Sequence, residues 1–150
     1  MKLNQKGFSL VELLIVLTVL GIIVAIVIPN LLDALDRAKQ RATISELHYW
    51  GTAVSAHHSE RGAFPLPSGL VSGIYSQVVP YTISVLRTTD HWNNPLHYET
   101  DATGSDAYSI MSFGKDGLRP GPPFLDCTPL AWNDYNCDMR IVDGIFVAAP

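Results

Sequence analysis

The chain has 150 residues, 47% of them hydrophobic, and a formal net charge of −4. That length accommodates one domain with a modest core rather than two ordinary ones, and the acidic balance argues against a broad basic surface for nucleic acid. Two cysteines, Cys127 and Cys137, are too few for a disulfide scaffold and wrongly patterned for a zinc ribbon or finger.

The apolar residues crowd into the first third. Lys2 and Lys6 precede an apolar run in which Glu12 is the one charge, followed by twenty uncharged residues from Leu13 to Leu32. Such a stretch spans about 30 Å as a helix, the thickness of a bilayer core. A secretory signal would place a small-residue cleavage site after an apolar stretch of about 7–15 residues. None follows here, and the run passes instead into a charged helical segment. The two lysines hold the N-terminal end on the cytoplasmic side and send the chain beyond Asn30 across the membrane. Hydropathy alone reads as a single-pass anchor. A carboxylate inside the bilayer costs about 2.5–3.5 kcal/mol on insertion scales, so Glu12 is expected to be paired or placed for function.

Helical periodicity continues past this run. Leu35, Ala38, Ala42, Ser45, Tyr49, Ala53 and Ala56 recur at steps of three and four, and a second stripe runs through Ile44, Leu47, Gly51 and Val54. Two stripes imply two packing duties, one toward this chain's own domain and one toward neighbouring helices. Asp33 and Arg37 stand at i and i+4 in the favourable order and support the helix. One helix from Phe8 to about Glu60 would be about 80 Å long. Gly21 and Pro29 are its weak points. Proline removes a backbone hydrogen bond and crowds the preceding turn, which predicts a kink or local melting near residues 25–29 unless a neighbouring chain or lipid packing tolerates it. Gly62 ends the helix and Pro65 prevents its resumption.

Beyond the helix, Pro67, Gly69, Gly73 and Pro80 punctuate a stretch read as a short helix near Leu70–Val79 and a connecting loop. NPLHYET and AYSIMSFG read as two strands of a hairpin around the turn DATGSD, and RIVDGIFVA reads as a third strand. The fold class is α+β: a long N-terminal helix, membrane-spanning in its first half, with a small antiparallel sheet packed on its second half. No G-x-S-x-G, P-loop, dinucleotide fingerprint or H-E-x-x-H occurs. The adjacent His57 and His58 would point about 100° apart on a helix and make no metal pair. The reading is of a structural protein rather than an enzyme.

KGFSLVELLIV, residues 6–16, resembles the class III signal of type IV pilins and type II secretion pseudopilins. The resemblance implies that a membrane peptidase cuts between Gly7 and Phe8 and that the new N-terminus on Phe8 is methylated. Residues 1–7 would then be a leader, 8–32 the membrane-spanning and filament-core half of the helix, 33–61 its exported half, and 62–150 the globular region. The resemblance also implies that Glu12 of one subunit attracts the Phe8 amine of a neighbour during assembly; the alternative is a glutamate lying in the headgroup layer. Pro29 falls where the family commonly has a helix-disrupting proline.

Three distal stretches are similar to the major pseudopilin of type II secretion more than to a type IV pilin. ERGAFP resembles the glycine, aromatic and proline exit from the long helix. DHWNNPLHYE resembles an aspartate-x-tryptophan-x-asparagine-proline motif, with His91, Asn93 and Leu96 as departures. SFGKDG resembles the opening of a calcium loop. The resemblance thus implies calcium, which takes about six to eight oxygen ligands, held by Asp116 and carbonyls around Phe113. The stretch after Gly117 departs from the family's short glycine-rich loop, so Asp138, Asp126 and Asp134 all stand as the second acid, Asp138 first because it precedes the last strand. Cys127 and Cys137 lie on either side of this loop. Two cysteines in an exported domain default to a disulfide, contributing about 2–3 kcal/mol, the alternative being two buried thiols.

The implied function is that of a subunit of the type II secretion pseudopilus, polymerising into a helical filament that helps export folded proteins. The chain would sit in the bacterial inner membrane with its C-terminal domain in the periplasm, and the filament would lie in the periplasm or reach the cell surface. Expected partners are copies of itself, minor pseudopilins, the prepilin peptidase and methyltransferase, an inner-membrane assembly platform, and lipid before assembly, with no nucleic acid. The alternatives are a type IV pilin of a surface fibre, for adhesion, twitching or DNA uptake, and a monomeric membrane-anchored calcium-binding module.

Overall fold

The computed structural model describes residues 7–82, 85–101, 104, 107–118 and 134–148. The chain divides into two units, residues 1–35 and 36–150. Helix α1 spans Leu10–Arg61 and contributes to both.

Within the first unit α1 is helical without a break through Gly21 and Pro29. The local melting expected near residues 25–29 therefore does not occur. Pro29 withholds one donor, the bond to the carbonyl of Ala25, and the neighbouring turn gains another: Asn30 Nδ2 donates to the Ile26 carbonyl at 3.2 Å. Losing one bond in a long ladder does not end a helix whose turns on both sides keep theirs.

Within the second unit α1 presents one seam to the sheet. Asp36, Gln40, Thr43, Leu47, Trp50, Val54 and His57 are all buried and alternate in steps of four and three, the spacing that keeps side chains on one helix face. Leu47 and Val54 come from the second of the two expected stripes. The first faces outward over much of its length, with Tyr49 53% exposed, although Ala53 joins the core. The helix ends where Gly62 donates its N–H to the His58 carbonyl at 2.8 Å, with positive φ at Gly62 and Pro65 just beyond.

The rest is a five-stranded antiparallel sheet of β1 (Gly69–Leu70), β2 (His97–Thr100), β3 (Tyr108–Ser112), β4 (Met139–Val142) and β5 (Ile145–Ala148), paired in chain order. Helix α2 (Val71–Val78) follows β1 and passes into a 3-10 turn at Val79–Tyr81, close to the short helix expected there. Alternation selects the buried face: Tyr108 and Ile110 on β3, Met139 and Ile141 on β4. These meet Leu47, Trp50 and Val54 of α1 and Val71, Ile74 and Val78 of α2 in one core. Each such side chain contributes about 1.5–3 kcal/mol when fully buried.

RIVDGIFVA is two strands, not one. Asp143 and Gly144 both adopt positive φ, at 49° and 82°, the geometry of a two-residue hairpin turn that Asp-Gly favours. Asp143 is also tied to β3, its Oδ1 accepting the Tyr108 N–H at 3.0 Å and its own N–H donating to the Tyr108 carbonyl at 3.1 Å.

Gly51 lets the helix approach the sheet closely. A Cβ there would lie 3.0 Å from Ile141 Cδ1 and 3.3 Å from the Tyr108 hydroxyl, which itself donates to the Gly51 carbonyl at 2.9 Å. Gly51→Val is expected to destabilise the second unit by about 1–3 kcal/mol through overpacking, read as a lower urea midpoint at unchanged slope for the full chain in detergent micelles.

Candidate functional site

Two places carry the residues singled out in the sequence, one in each unit. In the first unit, Gly7, Phe8 and Ser9 precede the helix and Phe8 is 81% exposed. Glu12 occupies the third helical position, where Oε2 accepts the Ser9 N–H at 2.9 Å. This is one half of a capping box, Ser-x-x-Glu, in which a carboxylate satisfies a backbone donor that the first turn leaves without a helical partner. The sequence carried that signal, and the reading of Glu12 as a charge in an apolar run passed over it. The carboxylate also complements the positive end of the helix dipole.

The apolar side chains from Leu10 to Leu32 are all about half exposed or more. No residue in the most apolar stretch of the helix is buried within the chain. A helix apolar on every side belongs in lipid or among other helices. Thr18 and Asn30 turn their polar groups back onto the carbonyls of Ile15 and Ile26, which leaves Glu12 as the one charged side chain on this surface.

In the second unit the two motifs DHWNNP and SFGKDG interlock. Asp90 is fully buried. Its Oδ1 accepts the N–H groups of Trp92 at 2.9 Å and Asn94 at 2.8 Å, and its Oδ2 accepts the Ser112 hydroxyl at 2.9 Å. Asn94 Nδ2 then donates to the Gly114 carbonyl at 2.7 Å. Gly114 must be glycine: with φ +61°, its Cβ would lie 2.7 Å from the Cys137 carbonyl oxygen and 2.8 Å from that of Tyr135.

The polar half of the α1 seam fastens these loops to the helix. Asp36 Oδ1 accepts Trp92 Nε1–H at 3.1 Å and Oδ2 lies 2.8 Å from Lys115 Nζ. The Lys115 ammonium holds the Asp36 carboxyl below the usual carboxylate range, against the opposing effect of burial. Gln40 Nε2 donates to the Asp134 carbonyl at 3.3 Å, Thr43 Oγ1 accepts the His91 N–H at 3.2 Å, and Glu46 Oε1 accepts the Arg87 N–H at 2.6 Å. Asp36, Gln40, Thr43 and Glu46 are buried polar residues that apolar-stripe reasoning passed over. Their positions on the same face as Leu47 and Trp50 were the available signal.

The residues nominated for calcium are placed as follows. Asp116 is exposed and its Oδ1 accepts the Leu118 N–H at 3.1 Å, closing its own turn. The Phe113 carbonyl accepts the Gly117 N–H at 3.2 Å. Asp134 is exposed, and its Oδ1 accepts the Asn136 N–H at 3.1 Å. Asp138 is buried just before β4. Asp126 lies outside the described residues. No group of three or more His, Cys, Asp or Glu side chains gathers among the described residues, so Asp116, Asp134 and Asp138 do not by themselves form an acidic cage for calcium. Cys137 is buried and is not a free thiol. Its expected partner Cys127 lies outside the described residues, and their pairing stays a proposal.

An apolar helix with an acid at its start, followed by a small antiparallel sheet, fits the architecture of a pilin-like protein. Residues 2–28 match the prokaryotic N-terminal methylation motif. The type II secretion system core protein G of Aeromonas hydrophila is 30% identical over 134 residues, covering 77% of this chain and 87% of that relative. The protein of the same name from Vibrio cholerae is also 30% identical over 134 residues, covering 79% and 86%. The fimbrial protein EcpC of Eikenella corrodens is 35% identical over 105 residues, covering 69% and 68%. No solved structure matches. The chain belongs to the family of type II secretion system core protein G.

Asp90 is the side chain on which the interlocked loops depend most. Asp90→Ala is expected to cost about 2–5 kcal/mol, since it strands two N–H groups and a hydroxyl. The measurements are urea unfolding of the full chain in micelles and the near-UV signal of the tryptophans.

Proposed function

We propose that this chain is a major pseudopilin, a structural subunit that polymerises into the type II secretion pseudopilus. The observation that carries the reading is the apolar surface from Leu10 to Leu32, exposed on every side within the chain and bearing the single carboxylate of Glu12. Family membership gives that surface its context, since the relatives are named as core components of type II secretion. The subunit is held in the membrane by its N-terminal helix, with the second unit on the periplasmic side. It is a substrate of processing enzymes rather than an enzyme.

The methylation motif supports the processing step of this reading, in which a prepilin peptidase cuts the Gly7–Phe8 bond and the new amine on Phe8 is methylated. The cut lies one peptide upstream of Ser9, so the Ser9 N–H survives as an amide and Glu12 keeps its bond to it. One carboxylate oxygen holds the helix start, and the other is open to the Phe8 ammonium of an adjacent subunit. That pairing neutralises two charges as the helix leaves lipid for a bundle of its own kind. Packing between helices supplies the cohesion there, because lipid is as apolar as the helix itself.

The Eikenella relative keeps a surface fibre as the second reading. Fibres on intact cells with normal protein secretion in a deletion strain would favour it.

Two experiments test the proposal. Intact mass and N-terminal sequencing of the membrane-extracted protein are expected to show a chain beginning at methylated Phe8; a chain still beginning at Met1 in cells that have the peptidase would remove the pilin-type pathway. Glu12→Gln retains an acceptor for the Ser9 N–H but removes the charge, whereas Glu12→Ala removes both. Both variants are expected to insert normally and to abolish filament formation and secretion. Normal assembly of the glutamine variant alone would reduce Glu12 to a helix cap.

A further inference from the structure

The segment that resembles the opening of a calcium loop contains a lysine, and that lysine is anchored. Lys115 Nζ sits 2.8 Å from Asp36 Oδ2, and the other oxygen of Asp36 takes the Trp92 indole N–H at 3.1 Å. The Lys115 backbone N–H donates to the Tyr135 carbonyl at 2.7 Å. Asn94 holds the Gly114 carbonyl, the Gly117 N–H caps the Phe113 carbonyl, and the Leu118 N–H caps Asp116. The Phe113 carbonyl and Asp116 Oδ1, both nominated for a metal, thus already receive protein donors, and the residue between Gly114 and Asp116 brings a positive charge of its own. A calcium site gathers carboxylates around a cation to join neighbouring chain segments. Here an ammonium, a carboxylate and an indole join the 113–118 segment, α1 and the Trp92 turn.

We propose that the Lys115 ammonium, seated on Asp36 beside Trp92, does the fastening that a calcium ion would do, so that residues 113–118 are ordered on α1 without a metal. Lys115 and Asp36 are positioning residues, and the disagreement with the family's implied calcium is specific to this loop. The inference is independent of the processing and assembly of the N-terminal helix.

The test uses the full chain in detergent micelles, melted in excess calcium chloride and after treatment with EGTA. The wild-type melting temperature is expected to be the same in both. Lys115→Met is expected to lower it by several degrees in both, and Lys115→Arg to restore most of the loss because a guanidinium can still pair with Asp36. A wild-type melting temperature that rises by several degrees with calcium would overturn the proposal, as would a methionine variant that melts like the wild type. Should the methionine variant fail to fold, amide exchange in the wild type decides. Protection at Lys115 and Gly117 unchanged by EGTA supports fastening without metal, and protection lost on EGTA treatment overturns it.

Discussion

A long apolar surface has to be covered by something, and from Leu10 to Leu32 this chain covers none of it with its own residues. On the proposed function, membrane lipid supplies one cover and the same surface on other subunits supplies another, and assembly is the exchange between the two. Dispersion and packing are similar in both surroundings, so the exchange is close to balanced for the apolar side chains. In that proposal the charged groups tip it. Glu12 is well suited to that task because its first obligation is small and local, a single backbone N–H one turn back.

The second unit solves the opposite problem, since its helix face is half polar and must be buried. Asp36, Gln40, Thr43 and Glu46 each meet a group from the loops around Arg87–Trp92, Lys115 and Asp134, while Leu47, Trp50 and Val54 meet the apolar core. Buried polar groups are costly when unmatched and nearly neutral when matched. Each partner here is supplied by a loop whose shape is itself held by hydrogen bonds, and Asp90 is the centre of that second layer.

What the sequence made legible follows the range of the interactions involved. The helix stop at Gly62 and Pro65, α2 and the strands at β2 and β3 were readable, because turn residues and alternation are local signals. DHWNNP and SFGKDG were recognised as motifs, but their engagement was not: Asp90 reaches Ser112, and Asn94 reaches Gly114. The polar seam was hidden for the same reason, with partners 41 to 94 residues away along the chain. Two local signals were also passed over. Ser9 and Glu12 form a capping pair inside a stretch read for hydropathy and as a processing signal, and Asp143-Gly144 turns a run that looked like one strand. The two-residue β1, opposite His97 and Tyr98, offers too little sequence for any pattern to show.

The spacing of the α1 seam has one more consequence. A face built on alternating steps of four and three looks the same after every seven residues, so an apolar seam of this kind could dock in more than one register. The polar residues remove that freedom. A slip of one heptad would bring Thr43 to Lys115 and Trp92 in place of Asp36, and the Trp50 indole to the His91 N–H in place of the Thr43 hydroxyl. The ammonium would lose its counter-charge and the amide its acceptor. Asp36 and Thr43 therefore act as an index mark: they fix how far along its own axis the helix is gripped, and with it how many residues of α1 are left for the membrane.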